Sequence, residues 1–186
     1  MACTTTLPAF RADICTDGVH FGPIDALMFT RYGDVLTDVS DDTEWDTRLD
    51  NTTTLPAPGT DAPIRYLYGV GTIPLPERTE LTISLGRKKK SKPIHTMTFQ
   101  VDDTGTVNAA ALATLQDSGG VYAVWFIADG ELYGPADGIK ATISWDGRLI
   151  PDSTTAIQTI QISVTWEGVM PAPIASPIQD ILGLAA

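Results

Sequence analysis

Seven acidic side chains between positions 34 and 50 are the first group in this chain that could do chemistry, since closely spaced carboxylates can bind a calcium ion. An EF-hand loop places its oxygen ligands in a fixed order around a central glycine, and this segment has neither the order nor the glycine. We therefore favour a solvated loop or an anion-repelling surface over a metal site. The seven residues are Asp34, Asp38, Asp41, Asp42, Glu44, Asp46 and Asp50.

Histidine and cysteine are scarce. The chain has two cysteines, Cys3 and Cys15, and two histidines, His20 and His95. A structural zinc site needs four ligands in paired spacing, so two ordinary thiols are the favoured interpretation. A Cys3–Cys15 disulfide stays open as an alternative if the chain meets an oxidising medium. His95 begins an alternating segment, which favours a structural role.

Motifs that carry catalysis or bind a cofactor are absent from the sequence. It contains no GxSxG, HExxH, P-loop or GxGxxG pattern. We therefore expect no cofactor, no metal and no enzymatic activity. An enzyme with two well-spaced carboxylates, such as a glycosidase, is the catalytic alternative, although none of the many acids has a distinguishing context.

Five of the twelve basic residues lie within six positions, as Arg87, Lys88, Lys89, Lys90 and Lys92. Without them the chain carries seven basic and 23 acidic residues. Three interpretations are open: a solvated hairpin tip, a nucleic-acid contact, or an electrostatic contact with an acidic neighbour. The nucleic-acid interpretation is the weakest of the three, because the run has no interleaved aromatic residues.

Composition limits the classes of protein that fit. The 186 residues are 43% hydrophobic and 19% charged, as in a folded globular protein with one good core. The net charge of -11 argues against a general nucleic-acid binder, which needs many cations facing phosphates. No window approaches the ~20 apolar residues of a membrane helix. The first residues have no basic start or apolar run, so we expect cytoplasmic synthesis without a secretory signal.

Alternation of apolar and polar residues dominates the chain and predicts half-buried antiparallel strands. The segment 121–127 is apolar throughout, which favours a central strand covered on both faces. Turn signals follow at intervals of about ten residues. We predict a mainly-β fold, an antiparallel β-sandwich or partial barrel. The predicted strands are 26–31, 65–70, 80–85, 95–101, 121–127, 139–145 and 160–166.

One short flanking helix is predicted at about 108–117, where Asn108 caps a run of helix formers that ends in Ser-Gly-Gly. A weaker helix could cover 44–50. The Pro-rich segment 52–63 is predicted to be an extended loop. We assign residues 1–168 to one β-rich domain with a basic hairpin tip at 86–92.

Residues 169–186 are predicted to form a C-terminal arm. Three prolines space the arm, and mostly apolar residues follow them. Such a segment cannot bury itself alone, so it either packs back on the domain or contacts a neighbouring subunit. The residues that we expect to make this contact are Ile174, Ile178, Ile181 and Leu182.

Four segments in a fixed order resemble virion proteins of tailed phages. These are LTISLGRKKK at 81–90, HTMTFQVDD at 95–103, GGVYAVWF at 119–126 and QISVTWE at 161–167. The likeness covers about residues 72–167 and rests on element order. The family is that of tail-tube-like and tail connector proteins of phages that infect Bacteroidetes-type hosts.

The resemblance implies a β-sandwich or partial barrel with one flanking helix. It also implies that about six copies join into a ring and that rings stack. A long hairpin, here the 81–101 region, would reach the adjacent ring, and an acidic lumen would let DNA pass as non-specific cargo. The chain departs from the family in the 52–63 loop and the C-terminal arm, which leaves open whether it is tube, connector or terminator.

We therefore expect a virion structural subunit whose partners are itself and neighbouring virion proteins, with no membrane contact. The main alternative is a secreted β-sandwich binding module, a carbohydrate binder or adhesin, with tryptophans as stacking platforms. Alternation places Trp145 and Trp166 among apolar neighbours, which favours core positions for both. The chain's tryptophans are Trp45, Trp125, Trp145 and Trp166.

Overall fold

The computed structural model describes residues 23–51, 62–83, 87–102, 110–113, 120–152, 156–178 and 180–184. It confirms the mainly-β prediction. Residues 110–113 are helical, and the rest of the helix predicted at 108–117 lies outside the described residues. The other elements are β1 (Ile24–Arg31), α1 (Asp42–Arg48), β2 (Arg65–Thr72), β3 (Glu80–Thr82), β4 (Lys88–Lys90), β5 (Ile94–Val101), β6 (Val121–Ala128), β7 (Glu131–Tyr133), β8 (Ile139–Leu149), β9 (Thr159–Glu167) and β10 (Ile174–Ala175).

Six strands close into an antiparallel barrel in the order β1-β2-β5-β9-β8-β6. Closure occurs because β1 pairs with β2 on one side and with β6 on the other. A bulge between Ile24 and Ala26 interrupts both registers of β1. Strands β7 and β10 extend the sheet beyond β6. Each barrel strand therefore has a neighbour on both sides, which removes the edges that an open sheet exposes.

The barrel interior is filled by alternate residues of its strands. In β5, His95, Met97, Phe99 and Val101 are buried, and the residues between them are largely exposed. Strands β8 and β9 alternate in the same way. Period-two burial of this kind is the physical basis of the strand predictions. The remaining buried interior residues include Leu27, Phe29, Val124, Phe126, Ile139, Ala141, Ile143, Ile160, Ile162, Val164 and Trp166.

Two glycines let β2 approach β5 closely. A Cβ atom added to Gly69 would lie 2.1 Å from the backbone oxygen of Gln100 and 2.9 Å from the Phe99 ring. One added to Gly71 would lie 2.7 Å from the same ring. Glycine is therefore needed here for space, since any side chain would push β2 away from the ring that fills the barrel.

A second apolar cluster lies on the outer face of β1 and β6. The helix α1 packs there through Trp45, whose ring meets Trp125 edge to face at 5.5 Å. Because this cluster and the barrel interior cover opposite faces of β6, the strand is apolar throughout, as the sequence predicted. The C-terminal residues Ile178 and Leu182 are buried in the same cluster.

Several predicted boundaries differ in the structure, and β8, which was predicted to end at 145, continues to Leu149. The strand predicted at 80–85 is described only as Glu80–Thr82. Helix α1 begins two residues before the predicted 44, because the Asp41 side chain accepts hydrogen bonds from the Thr43 and Glu44 N–H groups and so caps it earlier. Most of the predicted 52–63 loop, together with Cys3, Cys15 and His20, lies outside the described residues.

We predict that Gly69→Ala lowers the free energy of unfolding by about 1–3 kcal/mol, because the new methyl group meets backbone rather than a movable side chain. Urea denaturation measures this change. Val70→Ala is the matched control at the adjacent, exposed position and should change stability by about 0.5 kcal/mol or less. Equal effects at the two positions would contradict the close approach of β2 and β5.

We also predict that Ile178→Ala destabilises the isolated chain by about 2–5 kcal/mol, because it removes a side chain that is 0% exposed. Ile181, three residues further on, is 38% exposed, so Ile181→Ala should cost about 1 kcal/mol or less. Thermal or urea unfolding of dilute protein compares the two. A neutral Ile178→Ala variant would show that the C-terminal residues do not pack on their own domain.

Candidate assembly surface

The basic run forms one strand of a ribbon that stands apart from the barrel. Strands β3 and β4 pair with each other in a separate two-stranded sheet. All six of their residues are exposed. The predicted hairpin is present, but Lys88, Lys89 and Lys90 lie along its returning strand and not at its tip. Glu80 pairs opposite Lys90, an arrangement that favours opposite charges.

The base of this ribbon is attached firmly to the barrel. Glu77 and Ile94 exchange two backbone hydrogen bonds of 3.0 and 2.9 Å. The Gly168 N–H donates to the Pro93 carbonyl at 2.9 Å. Further out, the Ser91 N–H donates to the Thr79 carbonyl at 2.8 Å. The ribbon, defined as residues 77–83 and 87–94, is thus anchored where β5 begins and extends from there.

The two faces of the ribbon differ in character. Cross-strand pairing places Leu81 beside Lys89 on one face, and Ile83 lies two residues further along the same face, opposite Arg87. Both aliphatic side chains are about half exposed. We call this the apolar–basic face. An isolated two-stranded ribbon is marginally stable in water, so a face of this kind favours a partner.

The opposite face of the ribbon is polar. It carries Glu80, Thr82, Lys88 and Lys90. The Lys88 Nζ lies 3.0 Å from a carboxylate oxygen of Glu80, and both side chains are at least half exposed. Exposed ion pairs contribute little to stability, so this pair orients the side chains without holding the ribbon to the barrel.

A cleft of about 850 Å³ crosses the outer surface of β2, β5, β8 and β9. We call it the β2/β8 cleft. Its apolar lining includes Tyr68, Val70, Leu149 and Ile157, all substantially exposed. Two carboxylates, Asp25 and Asp102, also line it. No sequence pattern predicted this cleft, because the residues that line it range from Asp25 to Leu184 along the chain. One local signal was the presence of two apolar residues, Leu149 and Ile157, a short distance apart in the sequence.

Ionisation in the cleft is shifted by its surroundings. Burial raises the pKa of the Asp25 carboxyl, and the nearby Asp129 raises it further. Burial likewise raises the pKa of Tyr68, with a smaller contribution from Tyr66. The Tyr68 hydroxyl donates to the Leu182 carbonyl at 2.9 Å, so the C-terminal segment helps to position one wall of the cleft.

Three of the seven acidic residues singled out in the sequence, Asp38, Asp41 and Glu44, cap or brace α1 and the turn before it. Asp41 caps the helix, and the Asp38 carboxylate accepts from the Ser40 N–H. Glu44 accepts from the Thr37 N–H at 2.9 Å. Burial alone would raise the pKa of Glu44, but hydrogen bonds from Thr37 and Asp38 N–H groups and the Arg48 guanidinium hold it below its ordinary value. These carboxylates therefore serve local structure.

No group of three or more His, Cys, Asp or Glu side chains among the described residues is arranged to hold a metal ion. His95 is buried and stacks on Trp166 with ring centroids 5.0 Å apart. Its Nε2 lies 3.1 Å from the Gly168 carbonyl. The imidazole thus packs within the barrel close to the base of the ribbon.

The four tryptophans pack within the two apolar clusters. Trp45, Trp125 and Trp166 are buried, and half-buried Trp145 packs against the barrel core. The expected core positions of Trp145 and Trp166 are confirmed. Because no tryptophan presents an open ring, the stacking platforms that a carbohydrate-binding module would use are not formed by these residues.

The C-terminal arm packs back on the domain, which is one of the two outcomes that the sequence left open. Ile178 and Leu182 are buried in the chain's own outer cluster, and Ile174 pairs with Leu132 of β7. Ile181 is the most exposed of the four, at 38%. The placement revises the suggested intersubunit role of Ile178 and Leu182, because their side chains are already covered by β1 and β6.

None of the helices in the described part of the chain is long and apolar enough to cross a membrane. Comparison of the chain with protein-family models, with curated proteins and with solved structures finds no match.

Proposed function

We propose that this chain is a non-enzymatic structural subunit of a phage particle, tail-tube-like, which assembles into homo-oligomeric rings that stack around a channel for DNA. The observation that carries the proposal is the ribbon, an exposed element that projects from a closed barrel and presents aliphatic and basic side chains together. The virion is its place of action, after synthesis in the host cytoplasm.

The closed barrel supports association through projecting elements. Its six strands are paired on both sides, so neighbouring copies cannot simply extend that part of the sheet. The ribbon has the opposite property, since its half-exposed Leu81 and Ile83 gain most from a neighbour that removes them from water. A rigid body with one projecting contact element suits a repeating assembly.

The charge distribution supports contact between identical copies. The chain carries -11 overall, yet five cations are concentrated in one short run. A basic ribbon on one copy is attracted to the acidic body of the next, which favours a head-to-tail arrangement. A predominantly acidic surface also repels phosphates, so DNA would pass such an assembly without adhering to it.

The order of elements supports the phage assignment. The resemblance to tail-tube-like proteins depends on a strand, a basic hairpin, a further strand, a helix and two apolar strands between residues 72 and 167. In the structure, β3, β4, β5 and β6 follow one another along the chain, and β9 comes after β7 and β8. Neighbouring virion proteins are the remaining partners that this role requires.

We predict that Lys89→Glu/Lys92→Glu weakens self-association about tenfold at low salt, with a smaller effect at high salt because the ions screen the contact. Both residues were chosen because neither lies opposite Glu80 in the ribbon, so the change leaves that cross-strand pair intact. Light scattering measures particle size across a range of concentrations, and circular dichroism verifies the fold.

The control variant is Lys140→Glu/Arg148→Glu, which changes the net charge equally at exposed barrel positions outside the ribbon. It should assemble more strongly than the ribbon variant. Equal weakening of self-association in the two variants would show that the effect comes from net charge and not from the ribbon. A wild-type chain that remains monomeric at high concentration, and never forms rings or tubes under negative stain, would contradict the proposed function itself.

A further inference from the structure

The ribbon and the β2/β8 cleft lie at opposite ends of the same strand. The ribbon leaves the barrel at Ile94, where β5 begins, and the cleft includes Gln100 and Asp102, where β5 ends. Gln100 lies six positions after Ile94, which corresponds to about 20 Å of extended strand. In the structure none of the residues that line the cleft belongs to the ribbon of the same chain.

The two surfaces match in chemistry. The apolar–basic face of the ribbon carries Leu81 and Ile83 next to Lys89 and Arg87. The cleft combines exposed aliphatic side chains with carboxylates, whose charge is opposite in sign to that of the ribbon's cations. Its complementary groups are Val70, Leu149, Ile157, Asp25 and Asp102.

The other acidic surface is a poorer acceptor. The carboxylates of Asp38, Asp41 and Glu44 already accept hydrogen bonds within the chain. These bonds occupy part of the acceptor capacity of the three carboxylates. In the cleft, the strands leave apolar side chains exposed beside the acids, so one partner can satisfy both.

We propose that the β2/β8 cleft binds the β3–β4 ribbon of a second copy of this chain, with Leu81 and Ile83 covering Val70, Leu149 and Ile157. This inference rests on the proposed function and adds the acceptor surface to it. The contact is head to tail, because the donor and acceptor surfaces differ. Such contacts generate closed rings or open stacks according to the rotation between copies.

Disulfide trapping tests the proposal. In a background with Cys3→Ser and Cys15→Ser, an Ile83→Cys variant is mixed with a Val70→Cys variant that carries a size tag. The matched control replaces Val70→Cys by Val35→Cys, since Val70 is 56% exposed and Val35, outside the cleft, is 50% exposed. Mild oxidation followed by denaturing electrophoresis separates the mixed dimer from others by its tag.

We expect at least about tenfold more mixed dimer with Val70→Cys than with Val35→Cys, because docking raises the effective concentration of the two thiols. Equal yields from a chain that still forms rings or tubes would overturn the acceptor assignment and leave the proposed function standing. A chain that forms no assemblies and no mixed dimer would overturn both the acceptor assignment and the proposed function.

The same disulfide assay tests whether the chain's own N-terminal residues, and not a second copy, occupy the cleft. In a Val70→Cys variant that retains Cys15, an intramolecular disulfide would show that the chain's own N-terminal residues cover the cleft, and it would overturn the proposal. We expect this variant to remain free of that bond and to form intermolecular dimers with the Ile83→Cys chain.

Discussion

Closure of the barrel through β1 is the constraint on which the rest of the structure depends. Because β1 pairs with both β2 and β6, Leu27 and Phe29 face the interior while Ala26 and Met28 face outward. A shift of one residue would exchange these two sets and expose both apolar clusters. Closure also fixes the position of β5. The ribbon projects from the beginning of this strand, and the cleft forms at its end.

The outer cluster determines which apolar segments remain available to a partner. Trp45 of α1 and Ile178 of the C-terminal segment are committed to covering β1 and β6. Their burial stabilises the monomer, so neither is free to mediate assembly without unfolding part of the domain. Leu81 and Ile83 of the ribbon and the aliphatic residues of the cleft have no such role. Association is therefore left to surfaces that the closed barrel positions but does not bury.

The sequence predicted those elements whose burial is periodic. Strands β5, β8 and β9 alternate because one face lines the barrel, and β6 is apolar throughout because both its faces are covered. Closure through β1 and β6 could not be predicted, because it depends on pairing between segments almost 100 residues apart. Strand β4 was missed for a different reason. Lysine has low β-propensity, and the cross-strand partner Glu80 outweighs it.

Hydrogen exchange of the backbone amides in the dilute and the assembled chain tests most directly the claim that the ribbon is completed by a neighbouring copy. The account predicts that amides of β3 and β4 exchange at least about tenfold more slowly in the assemblies than in the monomer, because docking suppresses local opening. The amides of β6, which are enclosed in the barrel in both states, should serve as an unchanged internal reference. Ribbon amides that exchange at the same rate in monomer and assembly would contradict the account.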